Sequence, residues 1–118
     1  MNERRRTVRY PFVASAELID EKSQTHLSTR VAELSLYGCY FDMVNPFPPE
    51  TKILVKIVRG LVFFEASAMV LYSQPNEGMG VGFQRVHPYF LKVLQDWLRE
   101  AEKARLNASA ETRPKVAR

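Results

Sequence analysis

Cysteine is nearly absent: Cys39 stands alone in 118 residues, which excludes an intrachain disulfide and any multi-cysteine zinc site. In the run Gly-Cys-Tyr-Phe (38–41) it reads as a small buried hydrophobe. Long apolar runs are missing as well. The longest are cut by charge or glycine well before the ~18 residues of a membrane span, and the N-terminal decapeptide has no apolar segment behind its charges to serve as a secretion signal. A cytoplasmic protein without membrane insertion is the expectation. Histidine is scarce too. His26 and His87 lie far apart, with no Cys, Asp or Glu at ligand spacing, and no nucleophile stands with a base, so neither a metal site nor a catalytic residue is expected. The glycines of Gly-Met-Gly-Val-Gly (78–82) match neither the dinucleotide fingerprint nor the phosphate loop. The chain is read as a non-enzyme with no cofactor.

What is present is one core's worth of apolar residues, 46% of the chain, and an uneven charge. The net charge is +4, of which residues 1–9 carry +3 and residues 107–118 carry +2, leaving −1 for the body. A near-neutral body with basic ends points to something more local than a broad phosphate-binding face.

Along the chain the dominant period is two. Pro11 keeps the arm from running on as a helix, and Phe12–Ile19 reads as a strand. Residues 26–34 alternate through Leu27, Thr29 and Val31, and after the interruption at Ser35–Gly38 an extended pattern resumes at 39–43. Two strands follow, 52–58 with Ile53, Val55 and Ile57 on one face, and 61–72 with Val62, Phe64, Ala66, Ala68, Val70 and Tyr72 on one face. Met79, Val81 and Phe83 alternate in a sixth strand, whose glycines mark close approach by another backbone. From Pro88 the period becomes helical: Phe90, Leu91, Leu94, Trp97, Leu98 and Ala101 form the packing stripe of one amphipathic helix, about 88–105. The expected organisation is a basic arm at 1–9, a single domain at 10–105 and a disordered tail at 106–118.

Two short stretches carry chemistry. In Glu-Arg-Arg-Arg-Thr-Val-Arg-Tyr-Pro (3–11), Arg5 and Arg9 fall on one side of an extended chain about 13 Å apart, a spacing that suits a ligand of dinucleotide size. Guanidinium forks hold phosphate bidentately, bond guanine O6 and N7, and stack on purines; lysine, absent from this arm, does none of the planar work. In Glu-Leu-Ser-Leu-Tyr-Gly (33–38), Glu33 and Ser35 are expected on one side of a strand end, and Gly38 to permit a backbone turn that other residues resist. A carboxylate there suits the N1–H and N2–H₂ donors of guanine.

Together, Arg-Arg-Thr-Val-Arg (5–9) and Glu-Leu-Ser-Leu-Tyr-Gly resemble the RxxxR and [D/N]xSxxG motifs of PilZ domains, bacterial receptors for cyclic di-GMP, and the likeness extends over about residues 4–104. The resemblance implies a mainly β fold: a small six-stranded antiparallel β-barrel with one C-terminal amphipathic helix. It further implies that Arg5 and Arg9 hold guanine and phosphate, that Ser35 bonds phosphate or base, and that Gly38 allows close approach. Arg4, just before the motif, is positioned to serve a second, stacked ligand. Glu33 departs from the Asp/Asn of the family, by one methylene. The resulting expectation is a cyclic di-GMP receptor whose arm orders on the ligand and which signals to a downstream protein through a changed surface, with no specific nucleic acid as partner. The alternatives are a ligand-independent adaptor acting only by protein–protein contact, and nonspecific polyanion binding through the basic ends.

Overall fold

In the computed structural model the described residues are 7–112. They form six strands and one helix: β1 (Tyr10–Asp20), β2 (His26–Leu34), β3 (Gly38–Asp42), β4 (Lys52–Arg59), β5 (Val62–Gln74), β6 (Gly78–Arg85) and α1 (Pro88–Thr112). Every neighbouring pair is antiparallel, and the order β1-β2-β3-β6-β5-β4 closes on itself. Closure leaves no sheet edge unpaired. The expected small antiparallel barrel with a C-terminal helix is what the chain forms.

Alternation builds the core. Phe12, Ala14, Ala16 and Leu18 of β1, Ile53, Val55 and Ile57 of β4, and Phe64, Ala66, Ala68 and Val70 of β5 all point inward and are buried. At Pro88 the period changes, and the helix begins where His87 Nδ1 accepts a hydrogen bond from the Tyr89 amide at 3.1 Å. The helix packs on β1 and β5, with Leu94 and Trp97 buried and the Trp97 ring 5.3 Å from that of Phe12. Val93, outside the expected stripe, is buried as well.

The helix is longer than its spacing predicts. It continues to Thr112, so residues 106–112 of the segment expected to be a disordered tail are helical, while 113–118 lie outside the described residues. Leu106 and the alanines at 104, 108 and 110 are compatible with helix even without a packing stripe. The apolar periodicity ends where the side chains become exposed, from Lys103 to Ala108; the helical backbone does not.

Among the described residues the strand register shifts at four places, and two of these shifts matter for the outer surface. Val31 opposes Phe41, but Glu33 opposes Tyr40, so Ala32 is an extra residue in β2. Likewise Val70 opposes Val81 and Tyr72 opposes Gly80, so Leu71 is an extra residue in β5. A residue two positions from a buried one then faces out. Glu33 is exposed although Val31 is buried, and Leu71 and Tyr72 are both exposed although Val70 is buried. Tyr72 therefore does not share the inner face of β5, as its parity predicts; the bulge carries it outside.

Candidate functional site

The two bulges align a row of residues across five strands on the outside of the barrel. Pro11 of β1 opposes Glu33 of β2, Glu33 opposes Tyr40 of β3, Tyr40 opposes Gly80 of β6, and Gly80 opposes Tyr72 of β5. An open cleft of about 690 Å³ lies along this row, and Arg9, Glu33, Ser35, Gly38, Tyr40 and Tyr72 are among the residues lining it. Arg9 reaches it because Tyr10 opposes Leu34, which brings the residue before β1 level with Ser35 just beyond β2. Arg4 and Arg5 lie outside the described residues.

Glu33 and Ser35 both line the cleft but do not share one exposed side. Glu33 is exposed, whereas Ser35 is 7% exposed, and its side chain is engaged in the turn that joins β2 to β3. Its hydroxyl donates to the Gly38 carbonyl at 3.2 Å and accepts from the Tyr37 amide at 3.3 Å, and its own amide donates to the same carbonyl at 2.9 Å. The turn is also tied to β6, since the Phe83 amide donates to the Tyr37 carbonyl at 2.8 Å. Ser35 is thus a turn-holding residue whose hydroxyl proton is already placed.

Gly38 is required for a different reason than a left-handed turn. Its φ is not among the positive values; instead a Cβ at Gly38 would overlap the carbonyl oxygen of Val81, because β3 and β6 approach too closely for any side chain there. At Gly80 the intruder is a side chain rather than a backbone: a Cβ would overlap the end of the Tyr72 ring.

The foot of the arm is anchored. Tyr10 is buried, and its hydroxyl donates to Glu102 Oε1 of α1 at 2.5 Å. That hydrogen bond, with burial behind it, holds the Tyr10 phenol above its ordinary pKa. Arg105 bonds the same carboxylate at 3.2 and 2.8 Å, and Arg105 first and Tyr10 second hold the Glu102 carboxyl below its ordinary value. Arg9 is exposed one residue before this anchor. Cys39 is buried at the cleft wall, and desolvation pushes its thiol far up, away from thiolate chemistry.

Three aromatic lining residues escaped sequence reasoning: Tyr37, Tyr40 and Tyr72. The signal was the alternate glycines Gly78, Gly80 and Gly82, which strip one face of β6 and leave room for rings from the strands on either side. Among the described residues no group of His, Cys, Asp and Glu is placed to hold a metal, and no helix is long and apolar enough to cross a membrane.

The family model described as PilZ domain matches residues 3–100. No curated protein sequence matches the chain significantly. Among solved structures, the PilZ domain of YcgR from Escherichia coli with c-di-GMP superposes with a TM-score of 0.70 at 17% identity, covering 94% of this chain and 100% of that one. YcgR in complex with c-di-GMP gives 0.72 at 19% identity, covering 93% of this chain and 51% of that one. The Bacillus subtilis inhibitor of motility MotI gives 0.67 at 18% identity, covering 89% of this chain and 52% of that one. The chain thus spans the whole isolated YcgR domain and about half of the two longer chains. At these identities the likeness is one of fold.

Proposed function

The chain belongs to the PilZ domain family, and from that premise we propose that it is a receptor for cyclic di-GMP, a binding domain rather than an enzyme. The observation that carries this reading is the convergence of two separate sequence motifs on one cleft: Arg9 from the arm, and Glu33, Ser35 and Gly38 from the β2–β3 turn, all line it. Similarity in fold to YcgR, solved with c-di-GMP, supports the same ligand.

In this reading Arg9, with Arg5 two residue pairs up the arm, clamps phosphate and guanine through guanidinium forks. Glu33 accepts from guanine N1–H and N2–H₂, and its exposed position on the row gives the longer side chain room to turn outward. Ser35, with its proton on the Gly38 carbonyl, holds the turn and leaves its hydroxyl oxygen as an acceptor. Arg4 adds a further fork for a second ligand molecule. Closing the arm over the ligand, above the Tyr10 anchor, changes the surface offered to a downstream protein.

A second reading, a ligand-independent adaptor, is favoured by the two places where the motif is altered or engaged: glutamate in place of Asp/Asn at position 33, and the Ser35 hydroxyl bonded within its own turn. Titration calorimetry with cyclic di-GMP, with GMP and an unrelated oligonucleotide as controls, decides between them. Saturable binding of the cyclic dinucleotide alone is the expected result. No binding of any of the three favours the adaptor, and similar affinity for all three means nonspecific polyanion binding.

A further inference from the structure

Beyond the arginine and turn motifs, the outer face of the barrel carries a pair of neighbouring aromatic rings. Tyr40 and Tyr72 come from strands that flank β6 on opposite sides, and both oppose Gly80. Strands two apart in a sheet lie about 9.6 Å from each other, yet the ring centroids are 6.3 Å apart with planes inclined by 27°. The rings lean inward over the glycine strand. The end of the Tyr72 ring occupies the space a Cβ on Gly80 would take, and the hydroxyl end of Tyr40 lies 2.8 Å from where a Cβ on Gly78 would be. Side chains two residues apart on one strand repeat at about 6.6 Å, close to the observed ring separation. The two rings are therefore near-parallel neighbours, with the end of one over each glycine.

This surface is open to the cleft: Tyr72 is 49% exposed and both rings line it. Its position relative to the acceptor is set by register, because Tyr40 opposes Glu33 on the next strand. A planar group lying on the rings has its edge toward that carboxylate. Aromatic side chains exposed beside a cleft, held over glycines rather than packed in a core, fit the face of a base better than they fit any role in the barrel's own stability.

We propose that Tyr40 and Tyr72 form a two-ring shelf on which one guanine of the ligand stacks, so that the shelf takes the face of the base while Glu33 takes its edge. The proposal rests on the cyclic di-GMP reading and adds binding residues outside both sequence motifs. Tyr72 is the more exposed ring and carries the larger share. Its hydroxyl is dispensable, since stacking needs only the ring.

The test is cyclic di-GMP affinity by calorimetry for wild type, Tyr72→Phe, Tyr72→Ala, Gly80→Ala and the double variant, with thermal melts to show that each is folded. Tyr72→Phe is expected to bind within about two-fold of wild type and Tyr72→Ala about ten-fold or more weakly, the scale of one lost base–aromatic stack. Gly80→Ala keeps both tyrosines but displaces the Tyr72 ring, the flexible end of a side chain, so it loses affinity while remaining folded. Because both changes act through one ring, Gly80→Ala is expected to cost nothing more once Tyr72 is alanine. Wild-type affinity in Tyr72→Ala, with binding still lost in Arg9→Ala, overturns the shelf and leaves the receptor reading intact. Additive losses in the double variant also overturn it. Absence of binding by wild type overturns both.

Discussion

Two openings of similar size on the described barrel surface differ in build, and one of them is built like a binding site. The cleft beside the β2–β3 turn measures about 690 Å³; a second opening of about 570 Å³ is lined by Asp20–Ser23 and Pro49–Lys52. The second is richer in charge, with Asp20, Glu21, Glu50, Lys22 and Lys52 around it. Its Asp20 carboxylate, however, serves the turn that carries it, and the backbone there is tied to the barrel. The Asp20 carboxylate accepts from the amides of Lys22 at 2.9 Å and Ser23 at 3.4 Å, and the Glu50 amide donates to the Val70 carbonyl at 2.7 Å. The first cleft draws its acceptor and its rings from three different strands on one outer row, with the Arg9 cation beside them just before β1. Volume and charge density do not distinguish a site from a turn; what distinguishes the first cleft is that its groups converge from separate parts of the chain.

That contrast can be broken most forcefully at Gly38. A methyl group there meets the Val81 carbonyl, a backbone atom that cannot swing away, so Gly38→Ala is expected to destabilise the fold by about 3 kcal/mol in urea unfolding. Unchanged stability would mean that β3 and β6 are not in close contact and that the cleft is shaped otherwise.

Arg9→Ala and Arg5→Ala are each expected to weaken cyclic di-GMP binding by about 1–3 kcal/mol, because one guanidinium serves phosphate and base together. For the exposed Arg9 the melting temperature is expected to stay put. A large drop would make the arginine structural and move the site elsewhere.

Glu33 sharpens the comparison by separating length from charge. Glu33→Asp is expected to match or exceed wild-type affinity, Glu33→Gln to lose part of it, and Glu33→Ala to lose about 1–2 kcal/mol by leaving guanine donors unpaired. If wild type fails to bind and Glu33→Asp binds, the extra methylene disables the site and the adaptor reading prevails.

The smallest effects belong to the second opening. Asp20→Ala is expected to leave ligand affinity unchanged and to lower stability slightly. Burial pulls the Asp20 pKa upward, but the bonds from Lys22 and Ser23 outweigh it and leave the carboxyl below its ordinary value. Its contribution is therefore fully present above the ordinary carboxylate range near pH ~4 and is lost as pH falls through the lower folded-state value. Melts of wild type and Asp20→Ala across that window should converge in acid; a gap that widens there would reverse the assignment.

Much of this was legible in the residues, for reasons that differ by element. The inner faces of β1 and β4 could be read because burial alternates without a break from Phe12 to Leu18 and from Ile53 to Ile57, even though the β1–β2 register shifts between Pro11 and Ala14. The arginine and turn motifs could be read because their chemistry is local. Tyr72 could not, because one extra residue at Leu71 inverts every parity beyond it and nothing in the composition of Met-Val-Leu-Tyr marks where the bulge falls. The reason for Gly38 was hidden for a related cause: the clash that demands glycine is with Val81, more than forty residues away in sequence and in contact only through the β3–β6 pairing. Residues 103–108 of α1 are exposed, so no apolar stripe marks them and a periodicity argument ended too soon.

The central claim is that cyclic di-GMP occupies the cleft along the Glu33–Tyr40–Gly80–Tyr72 row and not the opening at Asp20–Lys52. Backbone amide NMR shifts recorded through a titration of the whole chain with cyclic di-GMP test it most directly. The account predicts saturable shifts concentrated at Arg9, Glu33 to Tyr40, Leu71, Tyr72 and Gly80, with Asp20–Ser23 and Glu50–Lys52 unmoved. Shifts centred on the Asp20–Lys52 opening, or none anywhere at saturating ligand, would contradict it.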